Sequence, residues 1–296
     1  MARKKLLWQS KTVLLLVFPF VGADVVLETR WWLRQMPVVA IWSLGLSVLL
    51  GLVAYKLRSA TPGAAVGGFA ISSSLMFATV TFPYLPWKTG LIPLVVVLIL
   101  TSLATRLGRK QKETLGIAES KRGRRASQVA ANLGVAAIVS NPLVQTWMIE
   151  HGWVFTRGIA PVPAPALTLG LAALAEAAAD TVSSELGQVL SGHPRMITTL
   201  RRADPGTDGA ISLSGTAAGV ISAGAVAAAG SWALDGGTPF FVVSWAGGVF
   251  GLLFDSLLGA TLERRGWINN DAVNFLSTAS AAVFAAVGVS LGHQWF

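Results

Sequence analysis

The 296-residue sequence lacks cysteine and has only three histidines and few charged residues. Without cysteine there is no disulfide, no thiolate zinc site and no cysteine nucleophile, and the redox compartment stays undetermined. The histidines His151, His193 and His293 are isolated, which argues against an all-histidine metal site. Charged residues make up 12% of the chain, hydrophobic residues 53%, and the mean hydropathy is +0.62. This composition is typical of an integral membrane protein.

Nine apolar stretches have nearly the length that a transmembrane helix needs, about 20 residues. They fall at 12–28, 38–55, 62–83, 90–105, 129–149, 166–190, 210–234, 239–262 and 272–292. The first stretch is the weakest because Pro19 and Asp24 interrupt it, so a signal-like or interfacial segment is the alternative there. The sequence therefore predicts an all-α polytopic transmembrane helical bundle of about eight to nine spans. We divide it into an N-terminal basic segment with an extra span, residues 1–37, and a membrane-embedded catalytic bundle, residues 38–296.

The net charge of +9 is distributed unevenly among the connecting segments. If all nine stretches cross the membrane, 19 Lys and Arg residues lie on one side, and only Arg30, Arg34, Lys88 and Arg157 lie on the other. The positive-inside rule places the richer side in the cytoplasm and predicts a protein of the plasma (inner) membrane. The basic charge thus reflects topology and does not indicate a nucleic-acid partner. We interpret the basic loop at 107–128 as an orientation signal that contacts lipid headgroups, with phosphate binding as the alternative.

Four carboxylates lie inside the predicted spans that follow the first one, where they oppose insertion into the membrane. The sixth span contains Glu176, Asp180 and Glu185, and the eighth contains Asp255. Each costs about 2.5 to 3.5 kcal/mol of insertion free energy at a helix centre, so a functional role is expected, most strongly for Asp180. For Glu185 and Asp255, the alternative is a position near a helix end that reaches water.

Helix geometry adds a condition to this hypothesis. Glu176 and Asp180 lie about 40° apart on a helix and share one face, whereas Glu185 lies about 140° around from Asp180. Asp180 and Glu185 can therefore meet at one ion only if their helix is central to the bundle or is distorted near Gly187.

The loop at 191–208 carries groups that are typical of phosphate binding. Arginine can bind phosphate through two parallel hydrogen bonds, and the turn Pro205-Gly206 leads to a helix N-terminus whose free amides favour an anion. The alternative is that the arginines only orient the protein in the membrane. The candidate phosphate-binding residues of this region are Arg195, Thr198, Thr199, Arg202, Gly206, Thr207, Gly209 and Ser212.

The last predicted hairpin loosely repeats the order of groups between Asp180 and Asp208. Asp255 lies in a span, an arginine pair follows it, and a polar cluster then enters the final span. The cluster consists of Asn269, Asn270, Asp271 and Asn274, of which helix capping explains one or two. Two such hairpins can place acidic helix ends around a divalent metal. Hard oxygen donors without His or Cys favour Mg²⁺ over zinc, and Mg²⁺ commonly bridges carboxylates to substrate phosphates. Phosphoryl or nucleotidyl transfer is the chemistry that this set of groups favours.

Four motifs resemble an integral membrane family that includes the plant phytyl-phosphate kinase of the vitamin E pathway. They read ADTVSSELG at 179–187, PRMITTLRRADPGTDGAISLSG at 194–215, DSLLGATLE at 255–263 and GWINNDAVNFLST at 266–278. The resemblance covers roughly residues 40–290 and leaves the N-terminal span as an addition. More remotely, the organisation is similar to CTP-dependent polyprenol and dolichol kinases and to CDP-diacylglycerol synthases.

This resemblance implies CTP-dependent phosphoryl transfer onto an isoprenyl or phytyl monophosphate at the cytoplasmic membrane face, with Mg²⁺ as cofactor. Its implied partners are a membrane lipid and a nucleoside triphosphate, while homo-oligomerisation is left open. A transporter or flippase of a phosphorylated lipid is the alternative, and a purely structural membrane component is a third hypothesis. The resemblance makes these residues the catalytic and metal-binding set: Asp180, Glu185, Asp208 and Asp255. It makes these residues nucleotide or phosphate contacts: Arg195, Thr198, Thr199, Arg202, Asn269, Asn270, Asp271 and Asn274.

Overall fold

A computed structural model describes residues 7–114, 116, 123–152, 166–190 and 193–291. These residues form helices almost throughout, together with one short antiparallel hairpin. The helices are α1 Leu7–Gln35, α2 Pro37–Lys56, α3 Pro62–Ala78, α4 Leu91–Arg106, α5 Arg109–Thr114, α6 Ala126–Ser140, α7 Pro142–Glu150, α8 Leu167–Leu190, α9 Leu213–Ala233, α10 Gly237–Leu258 and α11 Asn270–Leu291. The strands are β1 Arg195–Met196 and β2 Ala210–Ile211, and α10 continues into a π-helical turn, Gly259–Glu263.

The prediction of an all-α membrane protein is confirmed, whereas the count of eight to nine spans is not. Among the described residues, five helices are long and apolar enough to cross a membrane: Leu7–Gln35, Pro37–Lys56, Leu213–Ala233, Gly237–Glu263 and Asn270–Leu291. The bent pair α6 and α7 makes a sixth if it is one span. The apolar helices α3 and α4 are shorter, at 17 and 16 residues. The acidic residues of α8 lower its hydropathy, so α8 does not join this group either.

The first apolar segment forms one continuous helix of 29 residues, α1, although Pro19 lies inside it. Its membrane-depth carboxylate has partners, because Asp24 accepts hydrogen bonds from Ser74 Oγ at 2.6 Å and from Asn141 Nδ2 at 2.7 Å. These donors offset much of the cost of placing a polar group inside an apolar bundle. The two interruptions seen in the sequence thus leave α1 intact and packed along α6 and α3.

The stretch at 129–149 is not the single straight span that its apolar sequence predicts. The helices α6 and α7 meet at an angle of 63°. Pro142 cannot continue the hydrogen-bond ladder of α6, and the residue before it, Asn141, is extended. The Asn141 side chain then starts α7 by accepting from Leu143 N at 2.9 Å.

Helix α8 occupies the centre of the bundle and packs against α9, α10, α11, α6 and α4. Small residues allow this close packing: a Cβ added at Gly215 of α9 would lie 2.6 Å from Ser183 O, and one added at Gly219 would lie 3.0 Å from Ala179 O. Glycines four residues apart are typical of such close helix packing, and Gly215 and Gly219 of α9 provide it here. Because α8 is both central and continuous, it meets the geometric condition on Asp180 and Glu185 without distortion at Gly187.

Candidate functional site

A polar cavity of about 270 Å³ lies at the end of the bundle where α8 and α10 end and α6, α9 and α11 begin. We call it the acidic cavity, because its wall includes all four predicted catalytic carboxylates. Ten predicted site residues line it: Asp180, Glu185, Gly206, Thr207, Asp208, Gly209, Ser212, Asp255, Asn270 and Asn274. Four distant segments of the chain thus meet at one place.

The two innermost carboxylates of the acidic cavity face each other from α8 and α10. Asp180 and Asp255 lie within hydrogen-bonding reach of one another. Two carboxyl groups in such contact share either a proton or a cation. Asp255 Oδ1 is buried and has no hydrogen-bond partner among the described residues, so the pair contains an unsatisfied acceptor.

These carboxylates suit a magnesium ion whose coordination shell is completed by substrate. Within the described residues, no group of three or more His, Asp or Glu side chains is arranged to hold a metal ion. Mg²⁺ is commonly bound through one or two carboxylates, with water and substrate phosphates supplying the other positions. Asp180 and Asp255 match that pattern, and the exposed Asp208 lies on the same wall. The predicted roles of the four acids as metal ligands stay predictions.

Glu176 lies on the same helical face as Asp180 but deeper in the bundle. It is 1% exposed, and its Oε1 has no hydrogen-bond partner among the residues described. It does not line the acidic cavity, and its Cγ would lie 2.5 Å from a Cβ added at Gly251. Glu176 therefore lies beneath Asp180 without reaching the cavity itself.

Glu185 belongs to a buried ion pair that the sequence did not indicate. Lys112 Nζ lies 2.5 Å from Glu185 Oε2 and donates to Ala104 O at 3.0 Å. The Lys112 side chain is 1% exposed and that of Glu185 9%. The headgroup-contact interpretation of the loop at 107–128 is thus wrong for Lys112, whose ammonium lies inside the bundle. The pairing occupies Oε2 of Glu185 and neutralises the charge of this carboxylate.

Sequence reasoning did not single out Arg124, which it placed in a loop interpreted as an orientation signal, with phosphate binding as the alternative. Its two terminal nitrogens donate to Thr101 Oγ1 and Thr181 Oγ1, both at 3.3 Å. Its backbone pairs with a neighbouring segment, through Arg124 N to Ser59 O at 3.0 Å and Thr61 N to Arg124 O at 2.9 Å. Of the lining residues that the structure describes, Arg124 alone is basic, and its charge interacts with that of Asp180.

A glycine makes this placement of Arg124 feasible. Gly123 has a φ of +80°, and a Cβ there would lie 2.6 Å from Ala60 N and from Arg58 O. Only glycine fits such a close approach with a left-handed backbone. No local sequence signal singles out Arg124, because its position depends on pairing with residues 59–61, which are distant in the chain.

The rim of the acidic cavity near Asp208 is fixed by backbone contact. Gly209 has a φ of +75°, and a Cβ at Gly209 would lie 2.2 Å from Ala260 N in the π-helical turn. A Cβ at Gly259 would lie 2.9 Å from Gly209 N. Turns of π-helix are frequent at functional sites, and here the turn holds the loop that carries Thr207 and Asp208.

The polar cluster at the start of α11 divides into two groups. Asn274 lines the cavity, donates to Asn132 Oδ1 at 2.6 Å and accepts from Asn270 Nδ2 at 3.3 Å. Asn269 and Asp271 do not line it. Asn269 Oδ1 accepts from Ala272 N at 2.9 Å, which is the capping role, and Asp271 accepts from Ser10 Oγ of α1 at 2.6 Å. Sequence reasoning also missed Asn132 and Gln128 of α6, whose stretch is otherwise apolar.

Four predicted phosphate contacts lie outside the acidic cavity. β1 pairs with β2, and Met196 N donates to Arg201 O. Residues 195–202 therefore form a hairpin whose turn is exposed. On it, Arg195 donates to Leu200 O at 3.0 Å. The structure leaves these four side chains exposed and does not bring them to the cavity: Arg195, Thr198, Thr199 and Arg202.

Comparison with known proteins gives a family and several relatives. The family described as integral membrane protein DUF92 matches residues 45–282. A membrane protein of the cyanobacterium Synechocystis is 27% identical over 263 residues, which cover 84% of this chain and 92% of the relative. The chloroplastic protein VTE6 of Arabidopsis thaliana is 25% identical over 224 residues, which cover 73% of this chain and 64% of the relative.

An archaeal membrane protein from Methanocaldococcus jannaschii is more similar over a shorter length. It is 40% identical over 117 residues, which cover 40% of this chain and 49% of the relative. This chain therefore aligns with about half of that relative's length. No solved structure matches the chain significantly.

Proposed function

Because the chain belongs to the integral membrane family DUF92, we propose that it is a CTP-dependent, Mg²⁺-assisted kinase of an isoprenyl or phytyl monophosphate, acting at the cytoplasmic membrane face. The observation that carries the proposal is the acidic cavity, in which Asp180 and Asp255 face each other beside Arg124. One relative comes from Synechocystis and another is a chloroplastic plant protein. Both support the resemblance of the sequence motifs to the family that includes a plant enzyme.

The transfer needs alignment and charge neutralisation more than covalent help. An oxygen of the lipid monophosphate attacks the γ-phosphorus of CTP, the bond from that phosphorus to the β-phosphate oxygen breaks, and CDP leaves with the electron pair. Bound Mg²⁺ would neutralise the triphosphate charge and be held by Asp180 and Asp255, with Asp208 at the rim. The acceptor is already an anion at neutral pH, so the mechanism needs no general base.

The other groups of the acidic cavity have roles that suit this transfer. The guanidinium of Arg124 is placed to stabilise the charge that spreads over the transferred phosphoryl oxygens. The start of α9 and the glycine-containing turn at 206–209 supply backbone N–H groups, which favour phosphate at a helix N-terminus. Asn270 and Asn274 offer amide groups on the opposite wall, where they can hydrogen-bond the nucleotide.

The test is turnover by the purified chain in nanodiscs with Mg²⁺, a panel of γ-labelled nucleotides and either phytyl or geranylgeranyl phosphate. We expect labelled diphosphate with CTP and a loss of at least about 100-fold in Asp180→Asn. Asp235→Asn is the matched control, because Asp235 is exposed beyond the opposite end of α9 and pairs with Lys88. No turnover with any nucleotide and lipid of the panel rejects the kinase, and lipid movement in nucleotide-free liposomes would establish the transporter instead.

A further inference from the structure

A second cavity, of about 490 Å³, lies beside the acidic one and has the opposite character along most of its wall. We call it the apolar cavity. It lies between α2, α3, α4 and α6, and its volume is in the range of small-molecule sites, about 300 to 1,000 Å³. Its inner wall is formed by Leu50, Leu94, Val97, Leu98, Val129 and Leu133.

A groove between α2 and α4 adjoins the apolar cavity. The groove measures about 420 Å³ and is lined almost entirely by apolar side chains, with Leu50, Leu57 and Leu98 common to both spaces. The two helices barely touch each other along it. An opening of this kind between two membrane helices gives a lipid chain a route from the bilayer without crossing water.

The mouth of the apolar cavity is basic. Arg58, Arg106, Arg109 and Arg124 lie on its wall, and Glu113, which pairs with Arg109 at 3.2 Å, is the only acidic residue among the described lining residues. The Arg109 Nη2 atom is buried without a hydrogen-bond partner among the residues that the structure describes. A phosphate oxygen would satisfy that donor, and arginine forks bind phosphate well.

Arg124 joins the two cavities, because it lies on the wall of both. A phosphate held at the basic mouth is therefore next to the acidic cavity, where the proposed nucleotide would lie. Donor and acceptor would approach each other at Arg124, which is the arrangement that phosphoryl transfer between two bound substrates requires.

We propose that the apolar cavity binds the acceptor: a single-chain isoprenoid monophosphate, with its chain between α2 and α4 and its phosphate at Arg109 and Arg124. The apolar cavity and the adjoining groove share one group of arginines, which matches a single phosphate attached to an apolar chain. The identity of this lipid as acceptor rests on the proposed function, whereas its binding does not.

A space-filling variant tests the site. A Cβ at Gly68, on the cavity wall, would meet no atom within 4 Å, so Gly68→Leu fills the cavity without displacing the backbone. Gly45 of α2 also has free space around its Cβ but is exposed and lines neither cavity, so Gly45→Leu is the control. For the mouth, the pair is Arg109→Gln and Arg30→Gln, the latter exposed on α1.

The probe is a diazirine-bearing geranylgeranyl monophosphate, photolysed with the full chain in nanodiscs without nucleotide. We expect labelled peptides from α2 and α4, about tenfold less labelling in Gly68→Leu and Arg109→Gln, and no change in the two controls. The phosphate-free alcohol should label weakly, while inorganic phosphate and dioleoyl phosphatidic acid should not compete. Efficient competition by phosphatidic acid, or labelling that Gly68→Leu leaves intact, overturns the proposal.

Turnover measured on the same variants separates the two proposals. If both hold, Gly68→Leu raises the KM for the lipid and leaves the KM for CTP unchanged. Labelling at α2 and α4 without turnover retains the lipid site and rejects the kinase. Turnover that Gly68→Leu does not affect, without labelling at α2 and α4, retains the kinase and rejects the lipid site.

Discussion

At the scale of single residues, charge compensation separates the acids of the bundle. Asp180 and Asp255 face each other, and among the described residues only Arg124 supplies positive charge on their cavity wall. Glu185 instead has its own buried cation, Lys112. Two neighbouring carboxylates that form no ion pair with a lysine can bind a metal ion. A carboxylate in a buried ion pair instead links the helices that carry the two charges. The structure thus favours Asp180 and Asp255 as the metal-binding pair and gives Glu185 a structural partner.

Replacing Lys112 by Met tests that structural role. The change leaves the Glu185 carboxylate buried and unpaired, so we expect the free energy of unfolding to fall by about 3 to 5 kcal/mol. The double variant Lys112→Met, Glu185→Leu removes both charges and should recover most of this loss. Unfolding in nanodiscs or mild detergent, followed by tryptophan fluorescence, measures the difference.

Activity of the double variant then decides the role of Glu185. If Glu185 serves only the ion pair, the refolded double variant retains turnover with CTP and the lipid phosphate. A double variant that is stable but inactive would show that Glu185 acts in catalysis as the sequence predicted, with Lys112 only setting its position.

At the scale of elements, the helices were predictable and their connections were not. Apolar length alone located the core of each long helix, since insertion in a bilayer requires about 20 such residues. The bend at Asn141 and the hairpin that carries Arg195 escaped prediction. The bend follows from Pro142, a local signal that the apolar length of the 129–149 stretch outweighed. The hairpin depends on short strand pairing, which leaves no periodic signal.

The contact between the 206–209 turn and the π-helical turn gives an element-scale prediction. In Gly209→Ala, the new Cβ meets Ala260 N at 2.2 Å and must displace the turn that carries Asp208. We expect stability to fall by about 1 to 3 kcal/mol and turnover to fall together with it. Thermal unfolding and a lipid kinase assay on the same preparation measure both effects.

Gly266 supplies the matched control for Gly209. It has a similar φ, +70°, but a Cβ there meets no atom within 4 Å. Gly266→Ala therefore reports backbone strain alone, expected at about 1 kcal/mol with turnover unchanged. Equal losses of turnover in both variants would mean that contact with Ala260 does not matter for the site.

At the scale of the whole molecule, the acidic cavity forms because the central α8 brings distant motifs together. Its carboxylates could be predicted, since acids inside apolar spans are costly and stand out. Arg124 could not, because its position depends on pairing with residues 59–61, a contact that one sequence does not reveal. Asn132 was hidden in the same way, by an apolar stretch whose polar partner, Asn274, is far along the chain.

Helix α1 gives a prediction about the whole assembly, because it lies outside the matched family region of residues 45–282. Its described contacts are nevertheless specific: Ser10 bonds Asp271, Asp24 bonds Asn141, and a Cβ at Gly134 of α6 would lie 2.5 Å from Val17 Cγ2. The division at residue 37 stays a prediction. It treats α1 as an addition, whereas these contacts suggest that the bundle needs it.

Removal of residues 1–36 should therefore uncover the buried carboxylate of Asp271 and an apolar face of α6. Asp271 is 3% exposed in the presence of α1, so the truncated chain loses both the hydrogen bond from Ser10 and the cover that α1 gives to α6 and α11. We expect the truncated chain to lose its monodisperse peak in size-exclusion chromatography and to regain it when residues 1–36 are co-expressed as a separate peptide. The single change Ser10→Ala, expected to cost about 1 to 3 kcal/mol, is the milder variant that keeps the fold. A truncated chain that stays monodisperse and retains full turnover would show that α1 is dispensable, since every contact it makes with α6 and α11 would then contribute nothing to the site.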